Sequence, residues 1–156
     1  MTNSPKTKLG PMTLPSFHDD YLVGYAVDCD ARQVVLRIRD ADSSEIREVK
    51  FYGVEGYMLE NDAFGNIICH LEQVPPAQIL KDEEAQIREM YRQSGAPGSW
   101  AADLALAEVH FERQSVTGFL LAASYGMSGW VIARSVEVVA DSSTRKSIVG
   151  RCSGSD

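Results

Sequence analysis

Two neighbouring segments with alternating side chains constrain the fold of this chain more than any other feature. In residues 17–28 the tyrosines and valines fall on one face of an extended chain, and in Gln33–Arg39 aliphatic residues alternate with arginines. This period of two is typical of β-strands. Residues 28–32 are rich in aspartate and too few for a crossover, so the strands must be antiparallel. The sequence therefore predicts a β-hairpin, whose apolar face the rest of the chain is expected to cover.

Further short strands follow the hairpin. A polar turn over residues 40–44 leads to a predicted third strand, Ile46–Tyr52, and a fourth is predicted for residues 67–71 after a glycine-containing bend and a second turn. Four consecutive strands with short connections form a meander. Alternation in the second and third strands places one set of apolar residues in a shared core. Its members are Val34, Leu36, Ile38, Val49 and Phe51.

The middle of the chain changes to a helical period. Apolar residues recur at helical spacing over residues 76–94, with Pro76 suited to the first turn and Gly95 to the stop. This predicts one amphipathic helix. Residues 104–113 fit two patterns, because their alanines favour a helix while their leucines also alternate. We predict a strand there.

A second hairpin is predicted near the C-terminus. Residues 117–125 and 130–139 are apolar, and two glycines bracket the turn between them. The first of these strands is apolar on both faces, which predicts burial on both sides. One helix covers only one side. A homodimer that shares this hairpin or its edge is therefore expected.

The predicted fold class is α+β. It consists of a mainly antiparallel meander of about seven strands with one amphipathic helix packed on it. A curved sheet and a two-sheet sandwich both fit the pattern. Residues 16–140 are predicted to form a single globular domain, between a flexible arm at residues 1–15 and a flexible tail at residues 141–156.

Composition restricts the classes of function. The net charge is −7, from 22 acidic and 15 basic residues, and no basic stripe is present, so we predict no nucleic-acid partner. No apolar run approaches the roughly 18 residues of a membrane span, and no signal peptide is recognisable. The three cysteines are widely spaced and odd in number, which favours reduced thiols and a cytoplasmic location.

The most suggestive polar cluster is His18, Asp19 and Asp20. A metal site or a hydrolase would need His18 and Asp20 to meet His70 or His110, because adjacent residues of a strand point to opposite faces. The favoured interpretation is that these side chains fix the start of the first strand through local hydrogen bonds. No catalytic residue, metal ligand or cofactor is predicted.

Two residues of the second hairpin are further candidates for an interaction site. Ser128 lies in a turn that does not match the Gly-x-Ser-x-Gly nucleophile motif and that joins two strands. Trp130 fits either the core or an interface. The neighbouring Cys69 and His70 diverge on a strand, so a catalytic Cys–His pair is not predicted.

Residues 17–22, Phe-His-Asp-Asp-Tyr-Leu, and residues 124–131, Ser-Tyr-Gly-Met-Ser-Gly-Trp-Val, carry a resemblance. They resemble small uncharacterised bacterial domains that open with a His-Asp-x-x-Leu strand, some of which are grouped with immunity proteins of polymorphic toxin systems. The resemblance implies a binding protein without known catalytic residues. We therefore predict a non-catalytic protein that binds a protein partner through its surface. The alternatives are a homo-oligomeric interaction module and an enzyme that uses His18 and Asp20.

Overall fold

The computed structural model describes residues 14–141, which form an α+β fold with eight strands and three α-helices. The strands are β1 (Tyr21–Asp28), β2 (Gln33–Arg39), β3 (Ile46–Tyr52), β4 (Gly56–Glu60), β5 (Asn66–Val74), β6 (Thr117–Tyr125), β7 (Ser128–Ala133) and β8 (Ser135–Ala140). The helices are α1 (Pro76–Asp82), α2 (Glu84–Ser94) and α3 (Leu104–Gln114), with a 3-10 helix at Ser99–Ala102.

All eight strands of the described residues belong to one antiparallel sheet in the order β4-β7-β6-β5-β1-β2-β3-β8. The order is open, with β4 and β8 as its terminal strands. Only Arg134 separates β7 from β8 along the chain, although they lie towards opposite ends of the order. The sheet must therefore curl strongly. The predicted antiparallel sheet is confirmed, but β5 pairs with β1 and β6, so the fourth predicted strand does not continue the meander beyond β3.

The curled sheet encloses an inner core. All five residues predicted to share a core are buried there, each at most 1% exposed. The rings of Phe51 on β3 and Phe119 on β6 lie 5.0 Å apart between centroids. These strands are not neighbours in the sheet, so the contact crosses the interior.

The helices cover the opposite face of β6 and β7. Ile79, Ile87 and Phe111 pack there against Trp130 and Ile132. The alternate residues of β6 and β7, such as Phe119 and Val131, face the inner core. The second hairpin is thus buried on both sides within one chain, as predicted. This burial therefore gives no support to the homodimer, which stays a prediction.

The helical region differs from the prediction in its number of helices. Residues 76–94 form two helices that break at Glu83, where φ is −106° and ψ is 14°.

The strand predicted for residues 104–113 is wrong, because this segment is α3. The carboxylate of Asp103 accepts hydrogen bonds from the backbone N–H groups of Ala105 and Leu106, which caps the helix. The buried residues Ala107 and Phe111 are four apart and share the face that packs on the sheet.

The described segment includes residues beyond both predicted domain limits. Leu14 packs against the inner core, and the carboxylate of Asp141 accepts a 2.7 Å hydrogen bond from Arg37. The rest of the predicted arm and tail, residues 1–13 and 142–156, lies outside the described residues. Within residues 14–141, no helix has the length and apolar character needed to cross a membrane.

Candidate binding surface

The first strand of the first hairpin, β1, is apolar, but most of its side chains are exposed. Leu22 is the only buried residue of β1, whereas Tyr21, Val23, Tyr25 and Val27 are 37%, 41%, 46% and 37% exposed. The expectation that the chain covers this hairpin holds for β2 and is wrong for β1. Exposed apolar residues that occur singly are ordinary, but a contiguous run of them indicates an interaction site.

The pairing of β1 explains this exposure. Its ladder with β5 contains only Tyr21 opposite Ile67 and Leu22 opposite Asn66. A bulge follows between Leu22 and Gly24, and from there β1 pairs with β2 alone. We call residues 23–28 the outer half of β1. Among the described residues, this half therefore has one edge that pairs with no other strand. Such an edge presents backbone N–H and C=O groups that another strand can pair with.

Phe64 lies in the β4–β5 loop beside this edge and is the most exposed large apolar residue of the described chain, at 98%. Its φ of +58° lies in the left-handed region, which a bulky side chain rarely adopts. Holding a phenylalanine in this backbone conformation costs free energy, and the exposed ring gains nothing from burial. Phe64 therefore contributes little to the stability of the isolated protein, which makes it a candidate for contact with another molecule.

A hydrogen-bond network fixes the loop that carries Phe64. The carboxylate of Asp62 accepts from the Phe64 N–H at 2.9 Å, from the Asn66 amide at 2.9 Å and from the Tyr25 hydroxyl at 3.2 Å. Asn66 is 4% exposed, and its side-chain oxygen accepts from the N–H groups of Ala63 and Met127. The network joins β1, the loop and the β6–β7 turn, so the backbone of Phe64 is held in place.

A groove of about 240 Å³ separates the first half of β1 from this loop. It is lined by Tyr21, Tyr25, Arg39, Asp62 and Phe64, among others. Tyr125 of β6 extends the surface beyond the groove, since it pairs with Ile67, which pairs with Tyr21. We call the exposed set the β1 surface. Its members are Tyr21, Val23, Tyr25, Val27, Phe64 and Tyr125.

The same hydrogen bonds set the charge state of the loop. The Phe64 N–H, followed by the Asn66 amide, lowers the pKa of Asp62 below its usual range, and the Tyr25 hydroxyl adds to this effect. In return, the hydrogen bond to Asp62 and its negative charge raise the pKa of Tyr25. At neutral pH the pair is therefore a carboxylate and a neutral phenol.

The lowered pKa of Asp62 predicts how the loop responds to acid. A carboxylate whose pKa is lower in the folded state stabilises that state above its unfolded pKa, and the contribution disappears as pH falls through the folded value. An NMR titration should show the Phe64 amide shifting with a midpoint below the ordinary aspartate pKa of about 3.9. A midpoint at or above that value would contradict the network, and Asp62→Asn should remove the transition.

The three adjacent polar residues predicted as a cluster fasten the start of β1. Nδ1 of His18 lies 3.0 Å from the backbone oxygen of Cys69, and the Asp19 N–H donates to the oxygen of Ile68. Asp20 is 5% exposed and accepts from Arg47 at 2.8 Å. These hydrogen bonds hold the start of β1 in place, while the side chains of His18 and Asp19 stay 63% and 69% exposed, and a role of the cluster in an interaction stays a prediction.

The other two candidates lie on β7, which β6 and β5 separate from β1 in the sheet. The Ser128 hydroxyl accepts from the Ala123 N–H at 3.1 Å, and Trp130 is 2% exposed in the core beneath the helices. Neither meets the His18 cluster. No three histidine, cysteine, aspartate or glutamate side chains within residues 14–141 are grouped so that they could hold a metal.

The β1 surface was not identified from the sequence, although one signal was present. The sequence of residues 61–66 is typical of a polar turn, and a phenylalanine in such a turn is expected to lie on the surface.

Comparison with known proteins gives no further guidance, because no family model, curated protein or solved structure matches the chain.

Proposed function

We propose that this protein is a non-catalytic binding protein that holds an extended segment of a partner polypeptide along the free edge of β1. The observation that carries the proposal is that the outer half of β1 is apolar, exposed and unpaired on one edge. Strand addition at such an edge is a common mode of peptide recognition, in which main-chain hydrogen bonds supply affinity and side-chain contacts supply specificity.

Phe64 and the tyrosines of the β1 surface suit the role of anchors. Aromatic residues dominate the energetics of protein interfaces, and binding costs less when they are already ordered. The network around Asp62 and Asn66 fixes the backbone at Phe64 and the hydroxyl of Tyr25, which lowers that cost in part. Since the chain carries a net charge of −7, a partner with positive charge would be attracted to it.

The partner class follows from the resemblance at residues 17–22 and 124–131. An immunity role would make the partner a toxin domain in the cytoplasm, bound without catalysis. The proposed partner is therefore a toxin domain, and the proposed location is the cytoplasm.

A second copy of the chain is the alternative occupant of the edge. Residues 21–27 are uncharged. If two copies paired antiparallel along the free residues 23–28, Asp28 of one copy would lie opposite Val23 of the other, because β5 already occupies the edge at Tyr21 and Leu22. Light scattering at micromolar concentration separates the two cases, because a second copy predicts a dimer that Val23→Lys dissociates.

Selection from a library of random short peptides displayed on phage tests the proposal. Peptides that bind the purified protein should share apolar residues at every second position, as extended strands do. Val23→Lys should abolish their binding, because a lysine on an edge strand opposes pairing. The matched control is Val109→Lys, which adds the same charge to a valine of α3 that is 42% exposed, against 41% for Val23.

Binding should survive Val109→Lys unchanged. Selected peptides without alternation, or peptides that bind Val23→Lys as well as the native protein, would refute strand addition on β1. Unfolding curves of both variants establish that each is folded.

A further inference from the structure

A separate cleft of about 800 Å³ lies between the start of α3 and the strand ends opposite it. Arg32 precedes β2, Glu55 lies in the bend between β3 and β4, Arg134 separates β7 from β8, and His110 projects from α3. None of these residues belongs to the β1 surface. The volume is within the range of about 300–1,000 Å³ that small-molecule sites occupy.

The carboxylate of Glu55 lies at the centre of the polar groups. It is 15% exposed, with Arg32 at 3.9 Å and His110 at 3.7 Å from one oxygen and Arg134 at 3.9 Å from the other. At these distances the three contacts are ion pairs, and they are too long to be hydrogen bonds. The backbone of Glu55 is fixed, because its carbonyl oxygen accepts a 2.8 Å hydrogen bond from the Trp100 indole N–H.

Both arginines retain donors for a ligand. A guanidinium has five N–H groups, and the hydrogen bonds found here are one from Arg32 Nε to the Val54 oxygen and one from Arg134 to the Gln114 side chain. The arginine side chains are 62% and 57% exposed, so a ligand can reach them. Arg32 is the last residue of the turn between β1 and β2, where its φ of +51° is ordinary hairpin geometry.

The other wall of the cleft is apolar. Pro97 and Trp100 line it, together with Leu106, which is 66% exposed on α3. The second carboxylate of the cleft, that of Asp103, is directed to its own helix, where it accepts from the N–H groups of Ala105 and Leu106. A ligand would therefore meet an apolar wall on one side and guanidinium groups on the other.

We infer that this cleft binds a small organic phosphate, whose phosphoryl oxygens take hydrogen bonds from Arg32 and Arg134 while its carbon skeleton packs on Trp100 and Leu106. A carboxylate ligand would carry only one negative charge, and Glu55 already provides one such charge beside the arginines. A phosphate monoester brings up to two charges and three oxygens, and guanidinium groups match its geometry. Glu55 holds the arginines in position when the cleft is empty.

Phenyl phosphate is a suitable probe, because it combines an aromatic ring with a phosphate monoester. Calorimetric titration of the full chain at fixed ionic strength should show phenyl phosphate binding more tightly than inorganic phosphate or benzoate. Arg32→Gln and Arg134→Gln should each weaken binding about tenfold or more, the effect of losing a charged hydrogen bond. Arg113→Gln, an exposed arginine of α3 outside the cleft, is the matched control and should change nothing.

Glu55→Gln distinguishes a ligand site from a purely structural ion cluster. Removing the central negative charge should tighten phenyl phosphate binding several-fold, because the arginines lose a competing anion. Absence of binding, or equal affinity in the native protein and in folded Arg134→Gln, would overturn the inference. Benzoate that binds as tightly as phenyl phosphate would also overturn it, by showing that the phosphoryl group is not recognised.

Discussion

Phe51→Ala should lower the free energy of unfolding by about 3–5 kcal/mol, the usual cost of removing a fully buried phenyl ring and leaving a cavity. Phe51 is 0% exposed and lies in the inner core of the curled sheet. Urea denaturation measures the change. Phe64→Ala is the matched control, since the same side chain is 98% exposed there, and it should shift stability by no more than about 0.5 kcal/mol.

A double-mutant cycle extends this test to the curl of the sheet. Phe51 and Phe119 contact each other across the interior, with ring centroids 5.0 Å apart. Their coupling energy should be about 0.5–1.5 kcal/mol. Additive effects would mean that β3 and β6 do not meet, and equal costs at Phe51 and Phe64 would mean that the inner core is wrongly placed.

Phe64→Asn should act in opposite directions on stability and on binding. Asparagine tolerates the left-handed backbone conformation at this position, so the isolated protein should become more stable by about 0.5–1 kcal/mol. Binding of peptides selected on the native protein should weaken by about 2 kcal/mol, roughly 30-fold, if Phe64 is an anchor. Urea denaturation and calorimetry supply the two readouts.

The control for this variant is Val109→Asn, which places the same residue on the exposed face of α3. It should leave peptide binding unchanged. A loss of stability in Phe64→Asn would show that the ring contributes to the fold. Unchanged peptide affinity would show that it contributes nothing to binding.

The sequence predicted those parts of the fold where one pattern had one physical solution. β2 and β3 carry charge on one face and aliphatic residues on the other, so only one face could enter a core. Residues 104–113 were predicted wrongly because a short run of alanines and leucines fits both periods. The signal that favours a helix there is Asp103, which caps the first turn.

The binding surface was harder to predict, because it depends on long-range pairing. The alternation of β1 predicts one apolar face, but the bulge between Leu22 and Gly24 shifts the register, so Tyr21 pairs with Arg39 whereas Tyr25 pairs with the buried Leu36. The outcome is set by β5, which pairs with β1 only at Tyr21 and Leu22 and then continues beside β6. The local sequence shows only that Phe64 lies in a polar turn, where a phenylalanine is unusual.

The free edge of β1 is tested most directly by hydrogen exchange, measured by NMR with and without a selected peptide. If the peptide adds a strand to this edge, backbone amides within residues 23–28 should exchange more slowly in the complex, because the peptide pairs with them. Amides of α3 should be unaffected. Tight peptide binding that leaves exchange in β1 unchanged, or that protects amides only elsewhere, would contradict the account.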